Sequence, residues 1–441
     1  MSQANLHYQI KVKDTHAHIF EVSLTFTPIA QTTTLSLPGW IPGSYLIRDF
    51  AKNILSISAI DVDNNPVVIT QTDKNHWQIS TDQRVTISYE VYAFDMSVRS
   101  AYLDQKQGFF NGTSVFLCPQ GLENQTCELD IQKNAHQPNW KVATSLNTDH
   151  QYQFGLYSAS NYDELIDHPV ILGDFDMHSF YVGDVQHDVV LMGKHYCDME
   201  RLCEDLQKIC QTQIEFFGGT APFTNKRYVF MTLVTQNGYG GLEHRDSTVL
   251  MCPRNDLPRI GEDSSIVSDE YLNYLTLCSH EYFHNWNVKR IKPKAFAPYK
   301  LDKESYTTQL WAFEGFTSFY EALMVARCGI IDSNRFIQYL AKTLTRVFRS
   351  QGRFTQSVAD SSFNTWTKFY QQDANANNAI ISYYTKGAYI ALALDLTLRE
   401  NQSSLDVLMQ TLWQRFGDGS GVPEGEIEKI ASELAGINLT D

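Results

Sequence analysis

The order of hydrophobic patterns along the chain constrains its fold more than any other feature of the sequence. Over residues 1–185, apolar and polar residues alternate at short intervals, as in Tyr8–Val12, Ile19–Phe26 and Val85–Ala93. Such alternation is typical of half-buried strands, and turn signals such as Pro42-Gly43 separate the segments. We therefore expect an N-terminal antiparallel β-domain.

The pattern changes beyond residue 185. Two short strand-like runs flank a glycine-rich segment, and helical spacing of apolar residues then dominates. A helix is predicted over Met199–Phe217, and after Ser264 the predicted helices are Tyr271–Trp286, Gln309–Cys328, Ser333–Arg349, Tyr383–Arg399, Leu405–Arg415 and Glu424–Ala435. Strands followed by helices predict a multidomain α+β protein. We divide it into a β-rich domain (1–185), a catalytic core (186–330) and a C-terminal helical lobe (331–441).

Charge and cysteine content exclude several classes of protein. With 35 Lys+Arg against 50 Asp+Glu, the net charge of −15 disfavours nucleic acid and anionic membranes as partners. The 8 cysteines form no CxxC pair, which favours reduced thiols. No signal peptide or membrane-spanning segment is visible, so we expect a cytoplasmic location. The oligomeric state cannot be read from the sequence.

A metal-binding pattern lies inside the first long helix. His280 and His284 enclose Glu281 in an H-E-x-x-H motif. Residues four apart share one face of a helix, so both imidazoles can bind one zinc ion. Glu281 lies beside that face and can take a proton from a zinc-bound water. A buried helix with two hydrogen-bonded histidines is the alternative.

Two glutamates compete to be the third ligand. Asn287 and Arg290 exclude the pattern in which a third histidine follows closely. Glu304 lies in a polar, turn-like run, where a solvated carboxylate is ordinary. Glu314 lies within the apolar helical stretch L-W-A-F-E-G-F, where a carboxylate is costly to bury unless it is paired or bound to metal. We therefore predict that Glu314 is the ligand.

These motifs together resemble a known family. W-x-x-E-G-F-x-x-F-Y-E after H-E-x-x-H-x-W resembles the gluzincin aminopeptidases, the aminopeptidase N-type group. The closer match is the glycyl aminopeptidase family of PDZ-containing zinc metallopeptidases, through His284–Ile291, Pro38–Tyr45, Asp95–Arg99 and Ser160–Leu165. The resemblance implies a thermolysin-like zinc peptidase domain. The chain stops before the PDZ domain usual in that family, so we expect that domain to be absent.

The resemblance also assigns the glycine-rich segment. Gly240-Gly241-Leu242-Glu243 is similar to the family's G-G-x-E exopeptidase motif, which implies that Glu243 binds the substrate's free α-amine. Glycines let backbone approach a ligand closely, so Gly240 and Gly241 are included as substrate-binding residues. From the pattern alone, this segment would be a plain hairpin turn.

A Y-x-K-G pattern opens the fourth predicted helix. It resembles the gluzincin motif whose tyrosine donates a hydrogen bond to the tetrahedral oxyanion. Alignment on Lys386-Gly387 selects Tyr384 rather than Tyr383 as that residue. Two core tyrosines with satisfied hydroxyls are the alternative.

His16 and His18 form an H-x-H pair that could be a second metal site, as in amidohydrolase barrels. The sequence around them lacks the alternating strands and helices of such a barrel. We therefore expect His16 and His18 to be two solvent-facing strand residues.

The sequence and the resemblance together predict a zinc aminopeptidase with one zinc ion per chain. Its substrates would be peptides with a free N-terminus, and the family implies a preference for Gly or Ala. One alternative is a thermolysin-type endopeptidase, for which Glu243 would be irrelevant. The other is a non-catalytic peptide-binding protein on a peptidase scaffold.

Overall fold

The computed structural model describes residues 6–439, and it is a mixed α+β structure. Its N-terminal part consists of strands in which buried residues alternate with more exposed ones, as in β1 (Leu6–Asp14) and β2 (Ile19–Phe26). The next elements are β3 (Thr32–Ser36), β4 (Ile54–Asp61), β5 (Pro66–Val67), β6 (Ile69–Gln71), β7 (His76–Ser80), β8 (Val85–Tyr92), β9 (Ala101–Leu103), β10 (Gln107–Phe110), β11 (Cys118–Pro119), β12 (Cys127–Ile131), β13 (Lys141–Ala143), β14 (Gly155–Ala159), α1 (Tyr162–Ile166) and β15 (Val170–Gly173).

Three sheets form this N-terminal part. One has seven strands in the order β14-β12-β1-β2-β8-β4-β5, and two have four strands, β13-β15-β10-β9 and β11-β3-β7-β6. Neighbouring strands are antiparallel except β1 and β12, which run parallel. The prediction of a wholly antiparallel domain was therefore wrong for this pair. The long connection between these two strands permits the parallel arrangement.

A fourth sheet, with five strands, follows. It contains β16 (Asp176–Val182), β17 (Val185–Met192), β18 (Arg227–Thr235), β19 (Gly240–Glu243) and β20 (Ser247–Pro253), in the order β16-β17-β18-β20-β19. The three central strands are parallel and the two outer strands antiparallel. The sheet begins ahead of the boundary drawn at residues 185 and 186, because β16 pairs with β17. The glycine-rich segment forms the edge strand β19 rather than a plain turn.

Helices cover this sheet and form the C-terminal region. They are α2 (Met199–Phe216), α3 (Asp269–Phe283), α4 (Leu310–Arg327), α5 (Ser333–Arg349), α6 (Val358–Phe363), α7 (Ala376–Ala379), α8 (Tyr383–Glu400), α9 (Leu405–Phe416) and α10 (Glu426–Ala435). Within residues 6–439, no helix has the length and apolar character needed to cross a membrane.

The five-stranded sheet is the wall between two hydrophobic cores. Along β17, Val190 and Met192 belong to the core of the N-terminal part, whereas Val189 and Leu191 face the helices. Central parallel strands are commonly buried on both faces in this way. The N-terminal part therefore packs directly against the sheet that carries the helices.

A close approach of two glycines fixes α4 against α8. A Cβ atom added at Gly315 would lie 2.5 Å from the Cα of Gly387, which real Cβ atoms do not tolerate. Glu314 precedes the first glycine, and Tyr384 lies one turn before the second. The contact therefore sets the separation between these two side chains.

Candidate metal centre and substrate cleft

Helix α3 presents two histidines to one point in space. Its N-terminus is capped by Ser268, whose side chain accepts a hydrogen bond from the Tyr271 N–H, and 12 of its 15 residues are buried. His280 and His284 lie one turn apart near its C-terminal end. Burial on nearly all sides leaves this helix little freedom to shift, so the two rings are held in place.

Glu314 on α4 completes a group of three possible metal ligands. One ligand atom from each residue lies within 4.8 Å of the others. Glu314 Oε2 is 3.6 Å from His280 Nε2 and 3.2 Å from His284 Nε2. Ligands about 2.1 Å from a tetrahedral zinc ion are separated by roughly 3.4 Å. The three side chains therefore fit a zinc ion, whereas Glu304 is not part of this group.

Electrostatics in this group keep Glu314 ionised. Burial alone would raise the pKa of Glu314, but the charge of His284 outweighs it, with His280 adding to the effect, and lowers this pKa to about 2. Burial alone would lower the pKa of His280, but the neighbouring carboxylates of Glu314 and Glu321 raise it well above its usual value. An ionised carboxylate among imidazoles is the donor set that zinc uses.

Each histidine is oriented through its other ring nitrogen. His284 Nδ1 is 2.6 Å from the Asn287 carbonyl oxygen, and His280 Nδ1 is 2.6 Å from Glu321 Oε2. The Tyr339 hydroxyl donates to Glu321 Oε1 at 2.7 Å. A carbonyl oxygen only accepts, so His284 Nδ1 carries the proton and Nε2 remains for a metal. Such partners commonly fix the ligand orientation in metal sites.

The third candidate ligand has a partner from the N-terminal part of the chain. The buried Tyr45 hydroxyl donates to Glu314 Oε1 at 3.2 Å. The Tyr45 ring stacks on Phe296 and contacts Trp366 and Tyr370 edge-on. This contact leaves Glu314 Oε2 directed at the two histidines.

Glu281 lies beside the metal ligands with one oxygen unused. Its Oε2 atom is buried and has no hydrogen-bond partner among the described residues. Burial raises the pKa of Glu281 to about 7, although the charges of His280 and His284 act in the opposite direction. A Cβ atom at Gly241 would collide with the Glu281 carboxylate. The glycine therefore lets the edge strand approach the carboxylate.

The edge strand β19 carries a second unpartnered carboxylate. Glu243 is 3% exposed, and its Oε1 atom has no hydrogen-bond partner within residues 6–439. Ligand atoms of Glu243, Glu281 and His284 lie within 4.8 Å of one another. Gly43 in the N-terminal part has a φ of 90°, and a Cβ atom there would lie 2.5 Å from Glu243 Oε2. Gly43 therefore packs against the Glu243 carboxylate, and both residues line the cleft.

The two consecutive tyrosines of α8 point in different directions. Tyr383 is fully buried, and its hydroxyl accepts a hydrogen bond from Thr365 Oγ1 at 3.0 Å. Tyr384 lines the cleft, its hydroxyl lies 3.5 Å from that of Tyr370, and its ring centroid is 6.3 Å from that of His280. Tyr384 is thus the member of the pair that a bound substrate can reach.

One cleft of about 520 Å³ joins these side chains. Seven of the eight residues predicted from the sequence line it: Gly241, Glu243, His280, Glu281, His284, Glu314 and Tyr384. Gly240 lies on the same strand outside the cleft wall, close to the Arg99 guanidinium. His16 and His18 lie in the turn between β1 and β2, so the prediction of strand residues was wrong for them; His18 stacks on Phe94, and neither residue belongs to a possible metal group within residues 6–439.

Sequence reasoning missed several residues that contact the site. Tyr45, Gly43 and Arg99 lie within segments that carried the family resemblance, yet no local pattern showed where they point. Glu321 follows Glu314 by seven residues, which puts both on one face of α4. That spacing was the available signal for Glu321.

Comparisons with known proteins identify the family. The family model of the Peptidase M61 N-terminal domain matches residues 7–174, and that of M61 glycyl aminopeptidase matches residues 273–390. The second range contains the three candidate ligands, Glu281 and Tyr384. No curated protein matches the chain.

Solved structures show the same fold. An aminopeptidase N family protein from Idiomarina loihiensis is 46% identical, with a TM-score of 0.93, over 96% of this chain and 73% of its own. An M1 zinc metallopeptidase from Deinococcus radiodurans is 13% identical, with a TM-score of 0.56, over 97% of this chain and 90% of its own. A variant M1 zinc metallopeptidase from that organism, bound to a Tyr-Ser-Ala substrate, is 12% identical over the same shares, with a TM-score of 0.58.

Proposed function

This chain belongs to the M61 peptidase family and is a zinc aminopeptidase, and we propose that it removes the N-terminal residue of peptides that carry a free α-amine. The observation that carries this proposal is the buried Glu243 carboxylate on the edge strand, close to Glu281 and His284. A buried, unpartnered carboxylate is costly unless a cation meets it. The substrate's ammonium group supplies that cation at one residue's distance from the scissile bond.

We assign one zinc ion per chain to His280, His284 and Glu314, in a catalytic unit of thermolysin-like, gluzincin type. The donor set and its spacing support this assignment. Three protein ligands leave a fourth position open, as in catalytic zinc sites. When bound, zinc lowers the pKa of a coordinated water to about 7 and polarises the carbonyl that is attacked.

The chain's own residues perform the remaining steps. Glu281 accepts a proton from the attacking water at its unpartnered Oε2 and passes it to the leaving amine. The Tyr384 hydroxyl donates a hydrogen bond to the oxygen on which negative charge develops. Glu243 accepts hydrogen bonds from the α-amine, while the free edge of β19 can pair with the substrate backbone.

We further propose a preference for small N-terminal residues such as Gly and Ala. The family resemblance is the main support for this preference. The close approach of Gly43 to Glu243 adds to it, because the 41–45 segment bounds the space beside the amine-binding carboxylate. Leucine 4-nitroanilide should then be a poorer substrate than the alanine or glycine compound.

The experiment is hydrolysis of alanine 4-nitroanilide by the zinc-loaded chain and by Glu281→Gln. The substitution removes the base but keeps size and polarity, so zinc content should stay at one per chain while turnover falls by about 10²–10⁴-fold. A chelator should abolish activity, and zinc should restore it. A zinc-loaded wild type without activity would instead indicate a peptide-binding protein, and full activity of Glu281→Gln would refute the mechanism.

A further inference from the structure

Helix α5 carries an unusual charge for this chain. Arg335, Lys342, Arg346 and Arg349 lie on it without a single acidic residue, although the chain as a whole has a net charge of −15. Only one residue of this helix, Val347, is fully buried. The helix therefore places a local positive field on a negatively charged protein.

Hydrogen bonds locate α5 beside the metal site. Tyr339 on α5 donates to Glu321, which in turn accepts from His280. Lys342 and Arg346 follow Tyr339 by three and seven residues, so all three lie on one face of the helix. Both cations line the same cleft as Glu243 and Glu281. The positive face of α5 is thus one wall of the substrate cleft.

The cations of this wall differ in their partners. Arg335 and Lys342 both pair with Asp269, the first residue of α3, the latter at 2.9 Å. Arg346 is exposed and has no ion pair within the described residues. Its guanidinium is therefore available to an anion in the cleft, and Lys342 adds to the attraction.

The carboxylates proposed for the α-amine and the cations of α5 line different walls of the cleft. Glu243 and Glu281 lie on β19 and in the C-terminal half of α3, whereas Lys342 on α5 pairs with Asp269 at the start of α3. Twelve helical residues separate Glu281 from Asp269, which at 1.5 Å per residue is about 18 Å. An extended peptide covers that length with about five residues. The contact of α5 with Asp269 is thus about a short peptide's length from Glu281.

We propose that the α5 wall, with Arg346 as its free cation, binds a carboxylate on the leaving-group side of the substrate. That carboxylate is the C-terminus of a short peptide or an acidic side chain of a longer one. The inference rests on the proposed function, because it needs Glu243 to fix the α-amine at the opposite end. Binding of a carboxylate by the α5 wall would make the enzyme selective for short or acidic peptides.

Two sets of matched substrates test this proposal and separate the two sources of carboxylate. The first compares tri- to pentaalanine with their C-terminal amides. The second compares amidated alanine pentapeptides that carry Glu or Gln at the third, fourth or fifth position. We expect the wild type to favour the carboxylate member of at least one set by about three- to tenfold in kcat/KM. This preference should shrink as salt is raised.

Arg346→Gln should abolish most of this preference, and Arg346→Lys should retain part of it. Arg349→Gln is the matched control, because Arg349 lies on the same helix outside the cleft lining, so it should discriminate like the wild type. Equal rates for acids and amides by the wild type, or an unchanged preference in Arg346→Gln, would overturn the inference. Hydrolysis of alanine 4-nitroanilide, which has no carboxylate, reports separately whether the proposed function itself holds.

Discussion

The proton positions on the two zinc-helix histidines follow from single hydrogen bonds. Asn287 accepts from His284 Nδ1, and Glu321 accepts from His280 Nδ1. Both Nε2 atoms are thereby left to face Glu314 Oε2. Glu314 is the residue that we propose as the third ligand of the metal.

Metal retention should depend on Glu314 and not on Glu304. Glu314→Gln removes the charged ligand from a buried site, so we expect zinc affinity to fall by about tenfold or more. Glu304→Gln is the control, since Glu304 lies outside the ligand group. Zinc content after dialysis against graded chelator measures both variants. Loss of zinc from Glu304→Gln with retention in Glu314→Gln would reverse the assignment.

At the scale of elements, the first turn of α8 separates two adjacent tyrosines. Consecutive helical residues differ by about 100° in direction. Tyr383 therefore enters the core, where Thr365 donates to its hydroxyl, while Tyr384 faces the cleft. The contact between Gly315 and Gly387 holds this turn against the helix that carries Glu314.

This geometry predicts different consequences for the same substitution at neighbouring positions. Tyr384→Phe removes the proposed oxyanion donor, so kcat should fall by roughly 10²–10³-fold with little change in thermal stability. Tyr383→Phe removes one buried hydrogen bond, so the free energy of unfolding should fall by about 0.5–1.5 kcal/mol while kcat stays near wild type. Steady-state kinetics and thermal unfolding of the two variants distinguish the loss of catalysis from the loss of stability. The reverse pattern would mean that Tyr383 is the oxyanion donor.

The helices of the site were predictable because their signals are local. The spacing of His280 and His284, and an acidic residue at position 314 in an apolar stretch, lie within single helices. Strand β19 was not predictable from its pattern, since four residues that include two glycines have low strand propensity. Pairing with β20, a tertiary interaction, makes that segment a strand.

On the scale of the whole molecule, the N-terminal part completes the site. Tyr45 and Glu314 are 269 residues apart in sequence, yet they share a hydrogen bond. Trp40 lies in the core of the helical region, where its indole N–H donates to the carbonyl oxygens of Lys300 and Lys303. Contacts of this kind depend on how the two domains pack against each other. The hydrophobic pattern within either segment does not predict that packing.

A buried ion pair also joins the two parts. Lys289, just beyond α3, contacts Asp167 in the N-terminal part at 2.8 Å. Burial alone would raise the pKa of Asp167, but Lys289 and the hydrogen bond from His244 contribute to holding it well below its usual value. The folded pKa is therefore lower than the unfolded one, near 3.9. The stabilisation is present above pH 4–5 and is lost as the pH falls through the folded pKa.

Asp167→Asn should therefore lower the free energy of unfolding by about 3–5 kcal/mol at neutral pH, because it leaves Lys289 buried without a counter-charge. The difference from wild type should narrow as the pH falls below about 4, where Asp167 takes up a proton in the unfolded chain before it does so in the folded protein. Asp163→Asn is the control, since its pair with Arg245 is more exposed and should contribute about 0–1 kcal/mol. Denaturant unfolding at several pH values measures both. If the difference in free energy of unfolding between wild type and Asp167→Asn did not change with pH, the ion pair of Asp167 with Lys289 would not be the source of the stabilisation.

One substitution combined with one change in the substrate tests whether Glu243 binds the α-amine. We compare kcat/KM for an alanine-rich peptide with a free or acetylated N-terminus, using wild type and Glu243→Gln with equal zinc content. A charge-assisted hydrogen bond contributes about 1.5–3 kcal/mol. We therefore expect Glu243→Gln to lower kcat/KM for the peptide with a free N-terminus by about 10- to 100-fold relative to wild type. Acetylation should matter much less in the variant, because both changes remove one contact. Equal cleavage of free and acetylated peptides by the wild type would contradict the aminopeptidase and indicate an endopeptidase.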